Sequence, residues 1–184
     1  MQLRLATSSD IPALQTLIAH SARRLSTPFY TPAQIAALIA HVFGIDTQLI
    51  TDRTYYVIDG PAVPIAAGGW SGRRTLYGGD QAKAPDDSRL DPATQPARLR
   101  AFFVHPEWAR RGLARQLYTV CARAAWEASF RRFELMATSP GEPLYTALGF
   151  TVVERVVLPL PGNVEVPLAR MARPLDASAA HGTR

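Results

Sequence analysis

Apolar and polar positions alternate over residues 2–6, which reads as a first strand. The period then lengthens. Ile11, Leu14, Leu17, Ile18, Ala22 and Leu25 recur at helical spacing behind the capping residues Ser8, Ser9 and Asp10. Thr31-Pro32-Ala33-Gln34 is a capping-box pattern with Pro at the first helical position. It predicts a second helix, with Ile35, Leu38, Ile39, Val42 and Phe43 as its stripe and Gly44 as its stop. Residues 54–59 and 63–70 read as strands on either side of an Asp-Gly-Pro turn. In this hairpin Gly68-Gly69 marks a bulge or a close backbone approach.

Periodicity disappears from Ser71 to Pro96, where Gly, Asp, Pro and charge dominate. A stretch this long without pattern is a functional loop, a solvated excursion or disorder. Pattern returns as a strand over 99–104. A helix follows, on which Leu113, Leu117, Val120, Cys121, Ala124 and Ala125 share one face. Then come a strand over 133–137, a short helix over 142–148 ended by Gly149, and a final hairpin of 150–158 and 164–171. The order is β α α β β (loop) β α β α β β. This predicts one α/β (α+β) domain over residues 1–173, with helices flanking a mixed sheet, and a small, polar, frayed tail over 174–184.

Composition narrows the class. Hydrophobic residues make up 47% and charged residues 19%, as in an ordinary globular protein, and no apolar run is long enough to span a bilayer. The N-terminal stretch has no signal-peptide pattern. The single cysteine, Cys121, falls on the core face of its helix. It reads as structural, and together these features predict a cytoplasmic protein without a membrane partner. The net charge is +5 and the pI about 9.9, yet the basic residues are nearly all Arg and scattered. That favours small anionic ligands over nucleic acid. The four histidines are far apart and complete no metal-ligand spacing, so no metal is expected.

The chemistry concentrates where the strand ending at Val104 turns through His105-Pro106 into a helix. Gly112 sits there among Arg110, Arg111 and Arg115. Free N–H groups at a helix N-terminus, the positive end of its dipole and a residue without a side chain together make a phosphate cradle. The Gly spacing is neither that of a Walker A loop nor that of a dinucleotide fingerprint.

This segment resembles motif A of the GNAT superfamily of N-acetyltransferases, a strand and V-x-P turn followed by Q/R-x-x-G-x-G/A. Gly112 and Ala114 match its last fixed positions, and Ala109 departs where the family prefers Gln or Arg. Leu144-Tyr145-Thr146-Ala147-Leu148-Gly149-Phe150 resembles the family's F/L-Y-x-x-L-G-F signature. The resemblance implies a mostly antiparallel sheet of about seven strands, splayed at the acetyl-CoA site. It also implies transfer of an acetyl group to the amine of a small molecule or protein by direct attack.

On that resemblance, the N–H groups of Arg110, Arg111, Gly112, Leu113, Ala114 and Arg115 hold the pyrophosphate of acetyl-CoA. The pantetheine arm runs beside Phe102, Phe103 and Val104. Tyr145 takes the place of the general acid that protonates the departing thiolate; its other reading is a helix Tyr packed on the core. Glu134 is a candidate base, its alternative a charged residue on the solvent side of a strand, and His105 is another. Water or backbone groups serve equally. Arg73 and Arg74, if they face the site, suit an acceptor carrying a carboxylate or phosphate. A non-catalytic acyl-CoA-binding sensor is the rival function, and the final strands leave room for a homodimer.

Overall fold

The computed structural model describes residues 1–83 and 85–177. Strands β1 (Gln2–Leu5), β2 (Tyr55–Asp59), β3 (Pro64–Ser71) and β4 (Ala97–Val104) pair antiparallel in that order. β4 meets β5 (Arg132–Thr138) in parallel, and β7 (Val164–Pro174) lies between β5 and the edge strand β6 (Thr151–Leu160). The result is the expected seven-stranded, mostly antiparallel sheet. Among the described residues five helices flank it: α1 (Ile11–Leu25), α2 (Pro32–His41), α3 (Thr47–Thr51), α4 (Leu113–Glu127) and α5 (Glu142–Ala147). No helix among the described residues is long and apolar enough to cross a membrane.

The helices form where their caps predict. The Thr31 hydroxyl accepts from the Gln34 N–H at 3.3 Å, and the Gln34 side chain accepts from the Thr31 N–H at 2.9 Å. The short α3 carries too little apolar periodicity to be read from sequence. It is set by Asp46, whose carboxylate accepts from the Gln48 N–H at 3.1 Å.

The sheet divides the core. Leu14, Leu17 and Ile18 of α1 pack with Val57, Ala67, Ala101 and Phe103 on one face. On the other face Tyr118, Cys121, Ala122 and Ala125 of α4 pack with Leu99, Leu135 and Met171, and Leu113 and Leu117 with Ala66 and Phe102. Cys121 is fully buried, as its helical position implied, and burial pushes its thiol well above the ordinary range.

Two irregularities in β4 shape everything near it. Ala67 pairs with Phe103 but Gly69 pairs with Arg100, so Ala101 and Phe102 together oppose Gly68. This is a β-bulge. Ala101 takes a left-handed φ of 55°, and the alternation flips so that Leu99 and Phe102 share the α4 face. Gly68 is obligatory opposite it, because a Cβ there would stand 2.8 Å from the Phe102 ring. The second irregularity is the brevity of the β4–β5 pairing. Only Ala97↔Phe133 and Arg98↔Glu134 are in register, and beyond them the strands part.

The pattern-free stretch after β3 is held by the core. Thr75 and Leu90 are buried, Arg73 and Arg89 form an isolated bridge, and Arg100 of β4 reaches the stretch from below. The Arg100 guanidinium is 4% exposed. It donates to Asp46 at 2.9 Å, to the Thr75 carbonyl at 2.7 Å and to the Gly78 carbonyl at 2.5 Å. Lys83 adds a second cation to Asp46 at 2.9 Å. Part of the predicted tail falls within the described residues. Leu175 is buried and its N–H donates to Arg131 at 2.8 Å, while residues 178–184 lie outside those described.

Asp46→Ala would leave Arg100 buried with its charge unmatched, a loss of about 3–5 kcal/mol. Urea unfolding monitored by circular dichroism is expected to show a midpoint lowered accordingly, with no change in slope. A midpoint within experimental error of the parent would remove Asp46 from the core of the fold.

Candidate active site

The loop from β4 to α4 is shaped for an anion. His105, Pro106 and Trp108 make a tight turn, with the Trp108 N–H donating to the His105 carbonyl at 2.9 Å and the Ala109 N–H to the Pro106 carbonyl at 3.2 Å. From Arg110 to Arg115 the backbone N–H groups then donate to no partner among the described residues; the next donor is Gln116, to Gly112 at 3.0 Å. Arg110 and Gly112 both have positive φ, 64° and 80°, which turns successive amides outward at the head of a fifteen-residue helix.

Gly112 is required for that backbone conformation, and a Cβ built on it meets nothing within 4 Å. Arg110, Arg111 and Arg115 enter none of the ion pairs among the described residues, and Arg111 lies 4.8 Å over the Trp108 ring. Open amides, open space at the glycine and uncommitted guanidiniums fit a diphosphate.

A cleft of ≈ 240 Å³ starts beside this loop and occupies the gap between β4 and β5. Phe102, Phe103, Val104 and Ala114 line one end, so the expected pantetheine strand and the first turn of α4 do share one cavity. Leu144 and Tyr145 of α5 line its flank. The cleft then passes through the sheet to the α1/α2 face, where Leu38, Val42, Phe43, Tyr77, Met136 and Leu168 close it.

Tyr145 is aimed by its own helix and by two rings. Its centroid is 6.4 Å from Phe102 and 5.8 Å from Phe150, both in edge-on contact. Gly141 leaves room for it, since a Cβ there would lie 3.2 Å from the Tyr145 ring. Burial pushes the phenol above its ordinary value, so it holds its proton more firmly than a free tyrosine.

Glu134 does not reach the cleft. It lies at the vertex where β4 and β5 part, paired with Arg98 and, at 2.9 Å, with Arg170. A carboxylate clamped by two guanidiniums closes the sheet at that point and is outside the cleft lining. Arg73 and Arg74 are likewise turned away, Arg73 to Asp52 at 2.6 Å and Arg74 to Ser88 and Asp86 at 2.9 and 3.2 Å. His105 packs edge-on against His20, centroids 4.8 Å apart, outside the cleft lining. Tyr30 is buried in the loop between α1 and α2. Its hydroxyl accepts from the Ser139 N–H at 2.8 Å and donates to the Pro167 carbonyl at 2.9 Å, so it ties α1–α2 to the turn before α5. No group of three or more metal-ligating side chains occurs among the described residues.

Comparison with known proteins supplies independent findings. The acetyltransferase (GNAT) domain model matches residues 90–158, the segment holding β4, the amide loop, α4 and Tyr145. No curated protein matches the sequence. Among solved structures, a GCN5-related N-acetyltransferase from Rhodopseudomonas palustris superposes with a TM-score of 0.70 at 14% identity, over 95% of each chain. YncA from Salmonella typhimurium, solved with its cofactor acetyl-CoA, gives 0.63 at 16% identity over 100% of this chain and 97% of that one. PaiA N-acetyltransferase from Thermoplasma acidophilum, in complex with coenzyme A, gives 0.62 at 12% identity over 94% and 98%. With the matched domain segment at its centre, the chain has the fold of these N-acetyltransferases over nearly its whole length.

Proposed function

We propose that this protein transfers the acetyl group of acetyl-CoA to a primary amine by direct attack, with Tyr145 as general acid. The observation that carries the reading is one continuous cleft that reaches Ala114 in the open-amide segment, follows Phe102–Val104 between the parted strands and passes Tyr145. Acetyl-CoA supplies an activated acyl group. The chain's part is to hold its diphosphate at the head of α4, to keep its arm against Phe102–Val104 and to present a proton. The backbone at the Ala101–Phe102 bulge borders the same cavity, where an N–H can take up negative charge building on the acyl oxygen.

The Tyr145 hydroxyl gives its proton to the leaving sulfur. A thiolate of pKa about 8.5 takes it from a phenol whose ordinary value is about 10. No carboxylate or imidazole among the described residues lines the cleft, so the amine's proton leaves to water. The deciding assay follows thiol release from acetyl-CoA with a panel of amines. Turnover supports the transferase, whereas tight acetyl-CoA binding with no turnover on any amine favours the sensor.

Two substitutions separate binding from chemistry. Gly112→Ala forces a left-handed alanine, a strain of about 1–2 kcal/mol, and fills space beside the open amides. The Michaelis constant for acetyl-CoA is expected to rise about tenfold with kcat at saturation little changed. Tyr145→Phe should do the reverse, lowering kcat at least about tenfold while acetyl-CoA affinity by calorimetry holds. Because burial raises the Tyr145 phenol, kcat of the parent should stay level up to pH 10 and fall only above it. A kcat loss under about threefold in the Phe variant would remove Tyr145 from the acid role.

A further inference from the structure

Beyond Tyr145 the cleft changes character. From the structure we infer that the acceptor is an apolar primary amine that enters uncharged and carries no second charged group; this rests on the acetyl-transfer reading above. Leu38, Val42 and Leu168 are buried in the wall. Phe43, Tyr77 and Met136 are only half-buried and present their apolar surface to the cavity. A body of matching apolar surface is what such a wall binds.

Charge is absent from this wall in usable form. Every element contributing to the cleft can be checked. α1 and the residue that caps it offer Ser21 and Ser26, and α2 offers only an aliphatic side chain. The loop after β3 offers Tyr77, α5 offers Tyr145, and β5 and β7 offer Met136, Thr138 and Leu168. Among the described residues, Arg100 of β4 is the single charged residue in the lining. Its guanidinium is turned into the protein, onto Asp46 and the carbonyls of Thr75 and Gly78. Arg73, Arg74, Glu134, His20 and His105 are outside the lining. A carboxylate or second ammonium on the acceptor would be taken out of water with nothing to pair with.

The same absence sets the protonation state. No anion draws an ammonium into the cavity and no side-chain base strips it there. Attack therefore belongs to the free base already present in solution, roughly one part in 2,500 at pH 7 for an amine of ordinary pKa near 10.4. The expected kcat/KM rises about tenfold per pH unit until it approaches the acceptor's own pKa.

The test uses the full chain with acetyl-CoA and three probes of similar bulk or reach: 2-phenylethylamine, phenylalanine and 1,4-diaminobutane. Acetylated product is measured by mass spectrometry, and acetyl-CoA binding by calorimetry. The expected result is a kcat/KM for 2-phenylethylamine on the order of a hundredfold above both charged probes, rising with pH as described. Equal or better turnover of phenylalanine or diaminobutane overturns the inference and leaves the transferase reading standing. Binding of acetyl-CoA with no product from any probe overturns the transferase reading, and this one with it. Met136→Glu places a carboxylate in the wall and should raise diaminobutane turnover relative to 2-phenylethylamine at least tenfold. An unchanged ratio in a folded variant counts against the inference.

Discussion

The parting of β4 from β5 is the constraint on which the rest of the molecule depends. A sheet stabilises itself by pairing every strand, and here two central neighbours stop pairing after two residues. The opened edges expose backbone that must be satisfied some other way, by water or by a ligand that behaves as a strand. The gap survives because both ends are fixed. At the closed end Arg98, Glu134 and Arg170 form an ion network across β4, β5 and β7. At the open end α4 on one face and α1 with α2 on the other pack on the two half-sheets and keep them apart. Glu134, which its position in the strand suggested as a base, is instead part of what holds the gap in shape.

Much of this was legible in the sequence, for a physical reason. Strands and long helices announce themselves by periodicity, so the seven strands and the α1, α2 and α4 stripes were read within a few residues of their ends. The amide loop was legible because its chemistry is local: Gly112, its neighbouring arginines and the strand before it lie in one short segment. Tyr145 was legible only through the pattern around it, since nothing in a lone helix tyrosine tells a cleft from a core.

What escaped was long-range. Asp46 is one acidic residue in a loop, and its partner Arg100 is fifty-four positions away in an apolar strand. No spacing rule joins them. The bulge was flagged at Gly68-Gly69, but the extra residue is on the facing strand, at Ala101. Arg73 and Arg74 looked available because their partners, Asp52 in one case and Ser88 with Asp86 in the other, come from chain that the sequence does not place beside them. For Asp46 and the arginines charge was visible and its pairing was not, and pairing decides whether a charge can act on a ligand.

That distinction also explains how the two ends of one cleft differ. At the donor end the arginines are unpaired and the amides are free, so the field there is positive and open. At the other end, proposed for the acceptor, the lining Arg100 is paired with Asp46, and its donors hold the loop carbonyls that form the wall. Arg100 therefore works through Thr75 and Gly78, by fixing where Tyr77 stands, rather than by touching what enters. On the proposed reading, a protein with this charge arrangement recognises one substrate by its phosphates and the other by its shape. The boundary between the two regimes falls at the bulge and at Tyr145, the point where the reacting atoms would have to meet.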